Sequence, residues 1–353
     1  MRLGILTFQE TTNYGALLQA TAMYKAFIGL GVEAEIINYE CECVKQRELP
    51  QHKIKSLKRW PIELLCYLVD KKKFNKMEEF KRQNCKLSDK RYTKETVKET
   101  NDIYDIFVSG SDMIWELNVT GQDTTYYLDF VSDDKKKFSC SSSFGYDEVP
   151  QEYWTVTKKW LSKYQAISVR EIEGANIVKN MLGMDVPVTA DPTLLLSGEE
   201  WRTFCKPYEG VKKYVLVYFE DKNGIVMSSA KLYAKTNGCD VVLVSNSIKG
   251  VSGVKMIRDA SVEQFLWLID HAECIYTASY HGVLFSINFS RPFYYYNRAH
   301  QGRIHTIIKE LGLESRNIDY RGMREDIDWN LINNKITSIR KETLDYMSRI
   351  ITL

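Results

Sequence analysis

A histidine follows a short apolar run, at a position where a strand would end and a helix would begin. Residues 273–279 predict a buried strand, and apolar side chains recur at helical spacing after Gly282. His281 would therefore lie in the first turn of a helix, where α/β proteins place reacting groups. The backbone N–H groups there favour an anion, and an imidazole can move a proton near neutral pH. The alternative is that His281 only caps or packs at the end of the strand.

Polar side chains also follow predicted strands in the first half of the chain. Asp112 comes after one strand as a carboxylate, and Trp115 follows it as a flat surface for a sugar ring. The alternative for Asp112 is a simple turn that caps a helix. Arg170 ends another strand, where a buried guanidinium is costly unless it meets an anion. That anion is either a ligand or a neighbouring carboxylate, Glu171 or Asp191.

Two loops add residues that could hold an anion or a sugar. Asn13 and Gly15 lie between the first strand and its helix, and both types let the backbone approach a ligand closely. Arg298 and Arg303 precede a helix predicted over 304–311, and the alternative is that both are solvated. The sequence has no glycine-rich nucleotide-binding motif, no nucleophile elbow and no metal-ligand spacing.

Strands and helices alternate along the chain, which predicts an α/β fold with parallel sheets. We expect strands at 2–8, 34–38, 103–108, 126–131, 137–141, 166–170, 186–188, 214–219, 241–244, 274–279 and 292–296. Helices are expected at 15–30, 152–164, 171–182, 304–311 and 338–352. A chain of 353 residues exceeds what one core supports, which predicts domains at 1–200 and 201–335 and a last helix, 336–353, that packs back on the first domain. Two such domains facing each other would form a cleft at the carboxyl ends of both sheets.

Composition excludes several classes of protein. The chain is 44% hydrophobic and 27% charged, which is typical of a globular protein. Its 8 cysteines form no CxxC pair, which indicates thiols in a reducing compartment and favours the cytoplasm. No apolar run is long enough for a transmembrane helix.

A basic stretch interrupts the first domain. Residues 45–90 carry 14 Lys or Arg against 6 Asp or Glu, although the net charge of the whole chain is only +2. Within it, residues 53–73 combine basic residues with an apolar and aromatic run, a pattern that suits the inner, anionic surface of the cytoplasmic membrane. The alternative is a helix packed on its own domain with a solvated basic face. Nucleic acid is not favoured, because no binding motif accompanies the charge.

Short motifs occur in order from the first strand to about residue 313. They are Asn-Tyr-Gly-Ala-Leu-Leu-Gln at 13–19, Val-Ser-Gly-Ser-Asp at 108–112, Ser-Ser-Ser-Phe-Gly at 141–145, Ile-Ser-Val-Arg-Glu at 167–171, Asp-Pro-Thr-Leu-Leu at 191–195, Ala-Ser-Tyr-His-Gly at 278–282 and Arg-Pro-Phe at 291–293. With these motifs the chain resembles the polysaccharide pyruvyl transferase family. The resemblance leaves out the basic stretch.

The resemblance implies a fold like that of the GT-B glycosyltransferases, with two Rossmann-like domains facing across a cleft. It also implies transfer of pyruvate from phosphoenolpyruvate onto two hydroxyls of a sugar, as a cyclic ketal. The acceptor would be a lipid-linked sugar or a precursor of a bacterial surface polysaccharide, such as capsule or exopolysaccharide. Phosphoenolpyruvate is then a co-substrate, and neither a cofactor nor a metal is implied.

The resemblance also assigns roles to residues. His281 matches the motif histidine and would be the general acid, and Asp112 would act as a base or orient the acceptor hydroxyl. Arg170 matches the arginine expected to bind phosphoenolpyruvate. Donor binding would further involve Ser279, Gly282, Arg298 and Arg303, and acceptor binding Asn13, Tyr14, Gly15, Ser111 and Trp115. Some members carry an arginine where this chain has Ser279, so Arg298 or Arg303 would have to supply the second cation.

Two other functions fit parts of the pattern. An ordinary GT-B glycosyltransferase would use a nucleotide sugar, and it would need an acidic residue for the ribose and a site for the base, neither of which is evident. A glycan-binding or scaffolding protein without catalytic activity would use the same fold and the basic stretch at a membrane. Neither alternative requires a histidine, an arginine and an aspartate at His281, Arg170 and Asp112.

Overall fold

The computed structural model describes residues 1–50, 60–219, 224–247, 250–297 and 302–353. The described chain divides into two compact units. The first contains Met1–Leu49, Lys81–Leu196 and Thr337–Leu353, and the second contains Pro50–Phe80 and Ser197–Ile336. The sequence analysis placed all of the basic stretch in the first domain, whereas its described residues 60–80 belong to the second unit.

The first unit is built on a parallel sheet. Its strands are β1 (Arg2–Leu6), β2 (Glu33–Ile36), β3 (Ile106–Ser109) and β4 (Lys136–Ser139), in the order β2-β1-β3-β4. Its helices include α1 (Tyr14–Gly29), α2 (Glu42–Glu48), the end of α3 (Trp60–Asn84), α4 (Leu117–Thr120), α5 (Gln151–Leu161) and α6 (Ile172–Leu182). Beyond β4 the sheet continues as single bridges, which join Phe138 to Ala166, Ser142 to Val169 and Val169 to Val188.

Both faces of this sheet are covered, as a parallel sheet requires. One face packs Leu3, Ile5 and Val108 against residues of α1 and of the last helix. The other face carries an aromatic cluster that includes Phe107 and Trp115. The strands are accordingly buried along most of their length, including the charged side chains of Glu35 in β2 and Lys137 in β4.

The second unit also contains a parallel sheet. Its strands are β5 (Tyr214–Tyr218), β6 (Asp240–Val244), β7 (Lys255–Ile257), β8 (Cys274–Thr277) and β9 (Phe293–Tyr295), in the order β7-β6-β5-β8-β9. Its helices are α7 (Gly198–Arg202), α8 (Ile225–Asn237), α9 (Val262–Asp270), α10 (Tyr280–Asn288) and α11 (Gly302–Leu311), with the beginnings of α3 and of α12 (Trp329–Ile350). Val215 and Val217 of the central strand pack against α8.

The last helix, α12, is divided between the two units. Its residues up to Ile336 belong to the second unit, and its residues from Thr337 belong to the first. In the first unit, Arg340 donates to the carbonyl of Leu194 at 2.6 Å and the Tyr346 hydroxyl donates to the carbonyl of Ser139 at 2.8 Å. These bonds attach the end of the chain to the sheet of the first unit.

The structure corrects several predicted elements. Residues 126–131 do not form a strand: Thr124–Tyr127 is a 3-10 helix whose two tyrosines are buried, so the apolar run reflects core packing. Residues 166–170 and 186–188 form single bridges and not full strands. The last helix begins at Trp329, well before the predicted start at 338. Among the described residues, no helix is long and apolar enough to cross a membrane.

Candidate functional site

The candidate residues of the first unit lie where neighbouring strands end together. The register pairs Leu6 of β1 with Ser109 of β3, and Ser109 with Ser139 of β4. The carboxyl ends of parallel strands are where α/β folds bind ligands. The loops that follow these strands therefore meet at one edge of the sheet.

The loop after β3 is shaped by a glycine that no other residue could replace without displacing the backbone. Gly110 has a φ of +137°, and a Cβ on it would lie 2.0 Å from the carbonyl oxygen of Cys140. The next residue, Ser111, donates through its hydroxyl to the carbonyl of Ser141 at 2.7 Å. This close approach positions the next residue, Asp112. Its φ of 65° is a left-handed conformation, which aspartate tolerates better than most residues.

The guanidinium of Arg170 lies among three buried carboxylates, those of Asp112, Glu171 and Asp191. Its Nη1 lies 2.7 Å from Oδ2 of Asp191, its Nη2 lies 3.5 Å from Oδ1 of Asp112, and its Nε lies 3.7 Å from Oε2 of Glu171. The side chain of Arg170 has no exposed surface. The pairing with Asp191 that the sequence analysis kept as an alternative is therefore present.

The three carboxylates of this cluster differ in exposure. Asp191 is fully enclosed and also accepts from the backbone N–H of Thr193 at 2.9 Å. Glu171 is 3% exposed and Asp112 is 9% exposed. Burying a charge is costly unless it is paired, and Arg170 is the partner that all three share. Asp112 is thus the carboxylate most open to a substrate.

The serine hydroxyls around β4 are already engaged by the backbone. Ser139 donates to the carbonyl of Ser168 at 2.9 Å, Ser142 to that of Ser109 at 3.0 Å, and Ser141 to that of Ala190 at 2.6 Å. These bonds join neighbouring strand ends. Ser111, predicted as an acceptor-binding residue, belongs to the same set.

The loop after β1 ends in a helix cap. Asn13 is the N-cap of α1, and its side chain accepts from the N–H of Gly15 at 2.9 Å, while Tyr14 is buried. Gln19, a residue that the sequence analysis did not select, donates to Thr7 at 2.8 Å and accepts from the N–H of Ser111 at 3.1 Å. A polar side chain on the otherwise apolar α1 was the signal that could have identified it.

Trp115 does not offer an open face to a sugar. It is fully buried, and its ring stacks on Tyr127 with centroids 5.6 Å apart and planes 12° apart. Phe144 and Tyr164 contact it from other directions. The predicted sugar platform is therefore a core residue, because the loop after Asp112 turns the indole inward.

In the second unit, the turn from β8 into α10 brings backbone and side chains very close. Ser279 is the N-cap of α10 and accepts from the N–H of Gly282 at 3.3 Å. A Cβ on Gly282 would lie 2.4 Å from Oγ1 of Thr277. The glycine thus lets the helix begin directly against the end of the strand. Ser279 also forms a hydrogen bond with Tyr218: burial raises the pKa of the Tyr218 hydroxyl, and this hydrogen bond acts to lower it.

His281 lies in the first turn of α10 and is 6% exposed. Its ring meets that of Tyr280 edge to face, with centroids 5.3 Å apart. The guanidinium carbon of Arg303 lies 5.9 Å from the centre of the same tyrosine ring. Arg303 is therefore a cation beside the first turn of α10, whereas Arg298 lies outside the described residues.

Within the described ranges, no group of three or more His, Cys, Asp or Glu side chains is arranged to hold a metal ion. The positive charge next to the carboxylates of Asp112, Glu171 and Asp191 is the guanidinium of Arg170. The arrangement can therefore orient a hydroxyl beside Asp112 and present backbone N–H groups and an imidazole at the start of α10.

A sequence model of the family described as polysaccharide pyruvyl transferase matches residues 13–300. The chain belongs to the polysaccharide pyruvyl transferase family. The match includes His281, Asp112 and Arg170, and it ends before Arg303. None of the curated proteins matches the sequence.

Solved structures resemble this pyruvyl transferase family member in fold. The UDP-GlcNAc 2-epimerase of Methanocaldococcus jannaschii is 11% identical, with a TM-score of 0.52 over 100% of this chain and 99% of that chain. The UDP-GlcNAc 2-epimerase of Neisseria meningitidis is also 11% identical, with a TM-score of 0.51 over 98% of this chain and 100% of that chain. The pyruvyl transferase family member thus has an α/β fold of the GT-B type, as predicted from the sequence.

Proposed function

We propose that this protein transfers pyruvate from phosphoenolpyruvate onto two hydroxyls of one sugar, forming a cyclic ketal on a precursor of a bacterial surface polysaccharide. The observation that supports this most is His281, in the first turn of α10, within the family match. A nearly buried imidazole beside a helix N-terminus combines a proton donor with a place for an anion.

Phosphoenolpyruvate carries a phosphate and a carboxylate, and both need positive partners. We assign the phosphate to the first turn of α10, at the positive end of the helix dipole. Arg303, beside Tyr280, supplies a cation that offsets the absence of an arginine at Ser279. The family resemblance gives Arg170 a part in donor binding, and its enclosed guanidinium lies 3.5 Å from Oδ1 of Asp112.

The proposed reaction starts with protonation of the donor. His281 gives a proton to the methylene carbon, and C2 becomes an oxocarbenium ion. The first sugar hydroxyl forms a bond to C2 and loses its proton to a base, the role that the family resemblance gives to Asp112. The C2–O bond to phosphate then breaks, and phosphate leaves with the electron pair. The second hydroxyl closes the ketal and returns its proton to His281, while the proton on Asp112 passes to phosphate or water.

Asp112 suits the role of base because it is the most open of the carboxylates that share Arg170. Its position is set by Gly110, which allows the loop to lie against Cys140. The guanidinium of Arg170 is a cation 3.5 Å from Oδ1 of Asp112. Asn13 and Gly15 complete the proposed acceptor side through the loop that begins α1.

The full chain should be incubated with phosphoenolpyruvate and a glycan bearing galactose or N-acetylmannosamine. Phosphate release that depends on the acceptor, with a product mass that matches a pyruvate ketal, is the expected result. A parallel reaction replaces phosphoenolpyruvate with a UDP-sugar. Turnover of the UDP-sugar alone would replace the proposal with a glycosyltransferase, and inactivity with both donors across an acceptor panel would indicate a binding protein.

A further inference from the structure

The first half of α3 is apolar on all sides and yet is not buried. From Trp60 to Val69 the sequence is Trp-Pro-Ile-Glu-Leu-Leu-Cys-Tyr-Leu-Val, with Glu63 as its only charged residue. None of residues 60–72 is buried in the described part of the chain. Four large side chains are about half exposed: Trp60 47%, Ile62 48%, Leu65 59% and Leu68 53%. A helix of this composition in a globular protein is normally enclosed, so this segment requires a covering partner.

The second half of the same helix is packed and fixes the position of the first half. Lys73 is buried and donates to Oδ1 of Asn246 at 3.0 Å. Lys76 binds Asp259, and Met77 and Phe80 are buried. The exposed segment is therefore the first half of a helix whose following residues pack in the second unit.

The charges at both ends of this segment favour an anionic partner. Residues 53–73 contain seven basic residues, Lys53, Lys55, Lys58, Arg59, Lys71, Lys72 and Lys73, against Glu63 and Asp70. Lys71 is exposed and lies over the ring of Tyr67 at 5.7 Å. Apolar side chains bordered by lysines and by Trp and Tyr match the interface of a bilayer with anionic lipids, where aromatic rings and basic heads meet the headgroups.

We propose that residues 60–70 insert into the headgroup region of an anionic membrane and lie in its plane. A helical segment of this length spans only about 15 Å, against about 30 Å for the hydrocarbon core, so it anchors without crossing. Lys72 and Lys73 contribute little to this surface, because Lys72 is paired with Asp259 at 2.6 Å and Lys73 is buried. The proposed surface thus consists of the apolar segment with Lys71. Lys58 and Arg59 precede this segment in the sequence and lie outside the described residues. This inference does not depend on the proposed reaction, although a membrane anchor would bring the enzyme to a lipid-linked acceptor.

The test is flotation of the full chain with vesicles of phosphatidylcholine, with and without phosphatidylglycerol. Wild type should float with the anionic vesicles. Leu65→Glu with Leu68→Glu should weaken this binding about tenfold or more, because two apolar side chains no longer enter the interface. Lys58→Gln, Arg59→Gln and Lys71→Gln together should weaken binding to anionic vesicles in particular.

Leu232→Glu is the matched control, since Leu232 is 68% exposed on α8 of the same unit. It should bind vesicles like wild type. Thermal unfolding of each variant verifies that it is folded. Failure of wild type to float with anionic vesicles, or equal loss in all variants, would overturn the proposal. Sedimentation without lipid provides a second readout: a wild-type oligomer that dissociates on Leu65→Glu with Leu68→Glu would assign the segment to a second copy of this chain instead.

Discussion

Arg170 and Asp191 form an ion pair in which neither side chain has any exposed surface, with Nη1 2.7 Å from Oδ2. The two residues follow extended segments that are joined by the bridge between Val169 and Val188. The pair is thus held by the sheet and in turn holds Asp112, the carboxylate that we propose as the base. The ion pair between Arg170 and Asp191 therefore links the stability of the first unit to the position of Asp112, the proposed base.

Replacing Arg170 by methionine should destabilise the protein by about 3–5 kcal/mol, because the buried carboxylates lose their shared partner. Urea unfolding measures this loss. Lys179→Met is the control, since it removes the same charge from a surface pair with Asp185 in the same unit, and its unfolding should be nearly unchanged. Equal stability of the two variants would show that the buried pair does not hold the unit together.

Arg170→Lys separates a structural role from donor binding. Lysine keeps the charge but loses the fork that can meet two carboxylates. If Arg170 also binds phosphoenolpyruvate, the folded variant should show a raised KM for the donor and an unchanged KM for the acceptor. Steady-state kinetics at varied donor concentration gives this split. An unchanged donor KM would make Arg170 a positioning residue for Asp112 alone.

His281→Ala should lower kcat by roughly 10²- to 10⁴-fold, the usual contribution of a general acid, with the fold intact. Donor affinity should change far less, since the backbone N–H groups of α10 are still present. Phosphate release measures turnover, and unfolding by circular dichroism checks the fold. His305→Ala removes an exposed histidine of α11 and should retain normal turnover. Near-normal kcat in His281→Ala would exclude the acid role.

Gly282→Ala should disturb the start of α10. Its Cβ would lie 2.4 Å from Oγ1 of Thr277, and relief of such overlap typically costs about 1–3 kcal/mol. Turnover should fall with it, because His281 is the preceding residue. Gly29→Ala at the end of α1 meets nothing within 4 Å and should leave stability unchanged or slightly raised. Wild-type activity in Gly282→Ala would show that the close approach is not needed.

Acid stability should depend on Glu35. Burial acts to raise the pKa of Glu35, but hydrogen bonds from Lys86 and Tyr104 outweigh it and hold the pKa below its ordinary value of 4.5. A lowered folded-state pKa stabilises the protein above the pKa of the unfolded chain, and this contribution is lost as the pH falls through the folded value. Glu35→Gln should therefore be less stable than wild type at neutral pH and should lose less stability on acidification. Urea unfolding across that pH range tests it, and parallel curves for the two proteins would contradict it.

Apolar runs predicted most of the sheet strands, because buried parallel strands are apolar on both faces. The same signal failed at Tyr126 and Tyr127, whose 3-10 helix fills the aromatic core beside Trp115. An apolar side chain in the sequence reports that it is buried but not in which backbone conformation. Trp115 was misjudged for the same reason, since a sugar platform and a core indole have the same residue type.

The sequence by itself determined the family, the α/β class and the place of His281 in the first turn of a helix, because motif order and hydrophobic periodicity are local properties. Tertiary structure alone decided that Arg170 shares its charge among Asp191, Asp112 and Glu171. It also decided that residues 60–80 belong to the second unit, with the apolar start of α3 left exposed. These outcomes depend on contacts between residues far apart in the chain. Burial and charge compensation are set by such contacts, and no local pattern encodes them.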